Sequence, residues 1–288
     1  MRASILTIGN EILKGNTVNT NMAHIGHILT YAGHEVHRAL IVSDNPEEIA
    51  WGIRASLEAG DLVVTTGGLG PTFDDMTVES ISNALGLKTE VDQRELSFLK
   101  ERYAGRGIEL TEGRLKMVRL PAGSRALHNP VGAAPGVYLR HDNKTIIILP
   151  GVPAEMKAIL DSILPEIKSG DRKYAQETFP LEGIMESSLA PLIEKIMKKW
   201  GGKVYIKSHP QRSEMNNPKL NVEVSAWDKN MKMAMESVAT VVAETEGHTQ
   251  ASIELKAAEK NAGKQEDLVL AATRAAQKIE IGDAEFRP

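Results

Sequence analysis

Residues 65–75 read TTGGLGPTFDD and follow the apolar run Leu62-Val63-Val64. Gly67, Gly68 and Gly70 let the backbone turn sharply and bring its N–H groups close to an anion, and a helix start just beyond adds partial positive charge. A strand followed by Gly-Gly-x-Gly suits a tight turn without a ligand equally well. The loop then ends in two carboxylates, Asp74 and Asp75. Asp75 could cap the next helix and Asp74 could be solvated. Both could instead sit beside a phosphate if a divalent cation lies between, because Mg²⁺ or Mn²⁺ typically takes one or two carboxylates plus phosphate oxygens. On that reading the loop accepts an anion through a metal held by Asp74 and Asp75.

A second polar stretch, IGNEILKGNTVNTN (8–21), ends a strand with a carboxylate, Glu11, a cation, Lys14, and several amides. Asn19 or Thr20 suits a helix cap, whereas Glu11 has no evident packing role so close to a strand end. HNPVGAAPGV (128–137) and LPGVPAEM (149–156) are glycine–proline turns that loop geometry alone would explain. Glu155 suits the first turn of a helix and could equally reach a metal. The eight histidines show no metal-ligand spacing, and there is no G-x-S-x-G nucleophile turn.

These stretches need a scaffold that gathers them. The first half alternates strands (5–8, 36–42, 62–66) with helices whose apolar positions are spaced three and four apart, such as Met22, Ile25, Ile28 and Leu29. Ser43 and Asp44 offer caps for the helix that begins near Pro46, and Gly60 ends it. Residues 92–104 and 111–118 read as helical. Residues 136–164 read as a hairpin turning at Asp142-Asn143, then a Pro-Gly-Val-Pro turn, then an amphipathic helix. Such alternation predicts an α/β fold with a mostly parallel sheet covered on both faces, whose ligands bind beyond the carboxyl ends of the strands. Residues 9–19, 67–75 and 150–155 should meet there.

The polar stretch 168–173 reads as a linker. The predicted organisation is a first domain over 1–168, a small α+β domain over 174–250, and a C-terminal helix near 265–279 within a tail at 251–288. With 42% hydrophobic residues, 25% charged residues and a formal net charge of −4, the chain is expected to have no general affinity for nucleic acid or anionic membranes. It has no cysteine, which excludes disulfides and thiolate chemistry. No signal peptide and no membrane-spanning run is legible, so a cytoplasmic protein is expected.

Four motifs in order resemble the molybdopterin-binding (MoaB/Mog-type) domain family, and most closely its CinA-like branch. They are Gly9-Asn10-Glu11-Ile12-Leu13-x-Gly15 with Asn19-Thr20-Asn21, Thr65 to Thr77 around the glycine loop, Asn129-Pro130-Val131-Gly132-x-Ala134-Pro135-Gly136, and Leu149-Pro150-Gly151-Val152-Pro153-x-Glu155-Met156. The resemblance covers roughly residues 1–167. Leu69 stands where Mog-type members more often carry threonine, which favours the CinA-like branch over molybdenum-cofactor assembly. Members of that branch usually continue into a nicotinamide-nucleotide deamidase domain. Only a short tail follows residue 250 here, so no deamidase activity is expected.

The resemblance implies a three-layer molybdopterin-binding-type fold and a metal-dependent nucleotide pyrophosphate hydrolase. It would act on ADP-ribose or FAD with release of AMP, aided by Mg, Mn or Co and in some members K⁺. The implied catalytic set is Glu11, Asp74, Asp75 and Glu155, with Asp74 and Asp75 on the metal and Glu11 or Glu155 as further ligand or base. The implied substrate-binding set is Gly9, Lys14, Asn21, Gly67, Gly68, Gly70, Thr72, Gly132 and Gly151, with Lys14 neutralising phosphate charge. Two alternatives use the same loops. One is a protein that binds or adenylylates a pterin phosphate such as molybdopterin; the other is a non-catalytic interaction protein. The small domain resembles a KH-like module in strand–helix order but lacks the Gly-x-x-Gly clamp, so it is read as a packing or oligomerisation domain, most simply in a homodimer.

Overall fold

Consecutive residues of the buried strands feed two different cores. Leu6, Ile8, Val63, Ile146 and Ile148 pack on one side of the main sheet, while Ala3, Ile5, Leu62, Val64, Ile147 and Leu149 pack on the other. Side chains alternate across a strand, so an unbroken apolar run means burial on both faces. The structure is a computed structural model that describes residues 1–261 except 106, 108, 169–171, 212–217 and 230. The chain divides into two units, Met1–Gly170 and Asp171–Pro288.

The first unit runs β1 (Arg2–Ile8), α1 (Asn10–Leu13), α2 (Thr20–Tyr31), β2 (Glu35–Val42), α3 (Pro46–Ala59), β3 (Leu62–Thr66), α4 (Thr77–Ala84), β4 (Thr89–Val91), α5 (Gln93–Ala104), α6 (Glu112–Lys116), β5 (Arg119–Pro121), β6 (Arg125–Leu127), β7 (Gly136–His141), β8 (Lys144–Leu149) and α7 (Pro153–Ile167). Its six-stranded sheet has the order β2-β1-β3-β8-β7-β6. The pairs β1/β2, β1/β3 and β3/β8 are parallel, and β7/β8 and β6/β7 are antiparallel. Ile49 and Ile53 of α3 and Ile81 of α4 cover one face. Ile25 and Leu29 of α2 and Met156, Ile159, Leu160 and Ile163 of α7 cover the other. The result is the expected three-layer α/β fold.

The expected hairpin turn is present: Asp142 (φ 47) and Asn143 (φ 63) both lie in the left-handed region that a two-residue type I′ turn needs. The cap of α3 differs from expectation. Asn45, not Ser43 or Asp44, accepts from Glu47 N (2.9 Å) and Glu48 N (3.3 Å). Asp44 is thereby released toward the strand ends.

The second unit runs β9 (Lys173–Glu182), α8 (Glu186–Lys199), β10 (Val204–Pro210), β11 (Lys219–Asp228) and α9 (Met231–Asn261). Its antiparallel sheet, ordered β10-β11-β9, packs Phe179, Val204, Ile206, Val222 and Val224 against Leu189 and Ile196 of α8 and Val241 of α9. The whole of β11 pairs with β9, from Asp228↔Lys173 to Lys219↔Glu182. The final helix continues to Asn261, past the expected domain boundary at 250. Residues 246–261 are rich in Ala, Glu and Lys and contain no proline, so nothing ends the helix there. The helix expected at 265–279 lies outside the described residues. Among the described residues no helix is long and apolar enough to cross a membrane.

Candidate functional site

The carboxyl ends of β1, β3 and β8 open onto a cleft of about 420 Å³. The loop after each strand supplies part of its wall: Gly9 and Glu11 after β1, Gly67 to Thr72 with Asp74 and Asp75 after β3, and Gly151, Val152 and Glu155 after β8. Parallel strands point the same way, so the sheet brings together segments some sixty to eighty residues apart. This is the place where ligands bind in open α/β sheets.

Three glycines leave the cleft its space. Gly67 has φ 111, and a Cβ there would lie 2.0 Å from Ile8 O, so only glycine lets β1 and β3 approach at their ends. Gly68 has φ 67, and a Cβ would lie 2.2 Å from Thr77 Oγ1. The buried Thr77 donates from Oγ1 to Gly67 O (2.9 Å) and from N to Gly68 O (3.2 Å), tying the loop to the start of α4. At Gly70 a Cβ would meet Asp75 Oδ2 at 2.5 Å. Among the described residues none accepts from the N–H groups of Gly68, Leu69 or Gly70, although all three residues line the cleft. Backbone donors in a turn that lack an intramolecular partner form an anion-binding concavity.

The helix ends add to this. Asn19, Asn45, Asp92 and Thr111 cap α2, α3, α5 and α6. α7, whose first residues Val152 and Glu155 line the cleft, has no side-chain cap. Pro153 has no N–H and Met156 N bonds to Val152 O (3.0 Å), so the N–H groups of Ala154 and Glu155 are left for water or a ligand.

The carboxylates surround this concavity. Asp75 does not cap α4, whose N-cap is Met76 without a side-chain cap. Its Oδ2 instead accepts from Thr72 N (2.9 Å) and Thr72 Oγ1 (2.6 Å), and Asp74 Oδ1 also contacts Thr72 Oγ1. A hydroxyl carries one proton, so one of the two Thr72–carboxylate contacts joins two acceptors unless a proton or cation bridges them. The Thr72 bond, Asp74's own backbone N–H and nearby Lys116 hold the Asp74 carboxyl below the usual aspartate range. Asp44 is shifted the opposite way. Burial raises its carboxyl first, repulsion by Glu11, Asp74 and Asp75 adds to this, and the bond from Asn10 N (2.7 Å) only partly offsets it. Those four carboxylates therefore share one electrostatic environment. Among the described residues no three His, Asp or Glu side chains form a ready-made metal centre.

Glu155 reaches the cleft from the opposite wall. Its Oε2 accepts from Asn129 Nδ2 (2.7 Å), and Asn129 is buried, with its Oδ1 accepting from Val131 N (3.0 Å) and Gly132 N (2.7 Å). Gly132 makes room for that carboxylate, since a Cβ there would lie 2.1 Å from Glu155 Cδ.

Of the residues singled out from sequence, Gly9, Glu11, Gly67, Gly68, Gly70, Thr72, Asp74, Asp75, Gly151 and Glu155 line the cleft. Three do not. Asn21 is buried behind it, donating to Thr66 Oγ1 (3.0 Å) and Gly151 O (2.8 Å), and so holds the loop after β8. Gly132 lies behind Glu155. Lys14 is the exposed C-cap of α1 and lines no part of the cleft. Lys116 of α6, which also lies outside the cleft lining, donates to Thr72 O beside Asp74. In sequence Asp44 reads only as a helix cap, and Lys116 and Asn129 have no site role; only Asn129, inside a recognised motif, carries a signal.

The comparisons with known proteins agree with this geometry. A family model described as "Probable molybdopterin binding domain" matches residues 4–169. A protein of Caldivirga maquilingensis is 53% identical over 226 residues, which cover 78% of this chain and 88% of the relative. Protein Ta0487 of Thermoplasma acidophilum is 44% identical over 241 residues, covering 84% of this chain and 93% of the relative. The crystal structure of a Thermoplasma acidophilum protein described as CinA, with unknown function, superposes with a TM-score of 0.55 at 50% identity, covering 58% of this chain and 97% of that one. The chain belongs to the molybdopterin-binding domain family. Within it, the first unit is of the CinA-like N-terminal type.

Proposed function

We propose that the cleft binds a phosphorylated pterin of the molybdopterin class, with the phosphate on the unpaired N–H groups of Gly68, Leu69 and Gly70. Those three donors carry the reading. They face the same cleft as the uncapped start of α7, and both features favour an anion with several acceptor oxygens. Membership of the molybdopterin-binding domain family supports the pterin as the rest of the ligand. Titration of the full chain with molybdopterin tests it. Saturable binding that weakens in Gly70→Ala, whose added methyl would meet Asp75, is the expected result. Absence of binding by a folded protein contradicts it.

One observation favours a second reading, metal-dependent hydrolysis of a nucleotide pyrophosphate. Glu11, Asp44, Asp74 and Asp75 raise a negative field at the place where a phosphate would sit. The doubly contacted Thr72 hydroxyl also fits a cation held by Asp74 and Asp75. A divalent cation would supply the positive charge that lets a pyrophosphate approach four carboxylates and would polarise its phosphorus. The chain's own part would be to steady the non-bridging oxygens on the loop N–H groups and to offer Glu11 or Glu155 as proton acceptor. AMP release from ADP-ribose or FAD with Mg²⁺, Mn²⁺ or Co²⁺, lost on chelation and in the double variant Asp74→Asn/Asp75→Asn, is the outcome this reading requires.

A further inference from the structure

A second cavity, of about 630 Å³, lies between α5, β6 and α7 and shares no lining residue with the cleft; the 128–134 turn gives His128 and Pro130 to the one and Ala133 and Ala134 to the other. Its most informative residue is Glu95 of α5. The Glu95 side chain is only 7% exposed, and among the described residues its carboxylate accepts from one group, His128 Nδ1, at the long distances of 3.3 and 3.4 Å. A buried carboxylate normally gathers several short donors, because leaving its lone pairs unmet is costly. Of the other charged groups around the cavity, Arg94 lies over the Phe98 ring at 5.7 Å and the rest have closer partners. Asp92 caps α5 by accepting from Glu95 N (2.9 Å), and Glu166 pairs with Arg125 (2.6 Å). The His128 ring also packs at a tilt against Phe98, with centroids 4.6 Å apart. Leu127 and Ile163 give the cavity apolar wall, while Ser162 adds a hydroxyl.

We infer that this cavity is a second small-molecule site, whose ligand presents a planar pair of N–H donors to Glu95. A carboxylate has two oxygens and accepts such a pair side by side. An amidine or guanidine group carries this arrangement, and so does the 2-amino edge of a guanine-type ring. Small-molecule sites combine apolar walls with one or two placed polar groups, as here. The inference stands independently of what the main cleft binds.

Calorimetric titration of the full chain with guanosine, inosine and benzamidine tests it. Inosine keeps the guanine ring system but lacks the 2-amino donor. Guanosine or benzamidine is expected to bind, which of the two revealing whether a ring or a free amidine is the source. Inosine should bind at least about tenfold more weakly than guanosine, the loss that goes with one hydrogen bond to a charged group. Glu95→Gln should weaken binding by a similar factor, and Ser162→Trp, which fills the cavity from α7, should abolish it. Excess inorganic pyrophosphate should not displace the bound probe. No binding of guanosine or benzamidine at about 1 mM, a Kd that bounds weak recognition, would overturn the assignment. Equal affinities in wild type and both variants, or displacement by pyrophosphate, would overturn it too.

Discussion

Gly67 bears the tightest steric constraint in the cleft. With φ 111 and only 2.0 Å between a built Cβ and Ile8 O, Gly67→Ala must push β1 and β3 apart at their ends. The expected cost is on the order of 3 kcal/mol, read as a fall in the urea midpoint without a change in slope. Asp44 gives a prediction with a pH signature. Its folded carboxyl is raised above the unfolded value, so the folded state holds the proton more tightly there. Its contribution therefore favours folding at low pH and is lost as pH rises from the ordinary aspartate range through the raised folded value. Asp44→Asn keeps an acceptor for Asn10 N but removes the charge. The variant should unfold at a higher urea concentration than wild type at pH 7, and the gain should vanish below the ordinary aspartate range. The glycines and the Asp74-Asp75 pair were legible in sequence because each lies within one short motif. Asp44 and Lys116 were not, since 23 and 46 residues separate them from the glycine loop and only the packed fold closes that distance. Lys14 stands only three residues from Glu11 in sequence, yet it is exposed and lines no part of the cleft.

At the scale of elements, the apolar periodicity and the turn residues carried most of the fold. The runs 62–66 and 144–149 are buried on both faces, which is why they read as continuous rather than alternating. The caps were harder to read. Ser43, Asp44 and Asn45 are all good capping types, and the choice of Asn45 depends on where α3 packs, which frees Asp44 for the cleft. The β7–β8 hairpin offers a direct test of local turn chemistry. Asn143 sits at φ 63, where glycine is easier than any side chain. Asn143→Gly should therefore stabilise the protein by about 0.5 kcal/mol, since Asp-Gly is a preferred type I′ pair. Thr77 tests the loop staple. Thr77→Val leaves Gly67 O without its buried donor and should cost about 1–2 kcal/mol while also weakening anion binding, because the glycine loop is no longer tied to α4.

For the whole molecule, the two cores of the first unit draw every residue from positions 6–148 and 3–167, and the second unit has its own core between 175 and 242. A chain of residues 1–168 should accordingly unfold in one cooperative transition and keep the cleft's ligand affinity within about twofold, whereas loss of cooperative folding would show that the second unit is needed. The central claim concerns the three unpaired amides, and one measurement addresses it most directly. Backbone ¹⁵N–¹H spectra of the full chain should be recorded as molybdopterin is added. The largest shifts should fall on Gly68, Leu69 and Gly70, with the first-turn amides of α7 next. Binding that leaves those three amides unmoved, or no binding at all, would contradict the account.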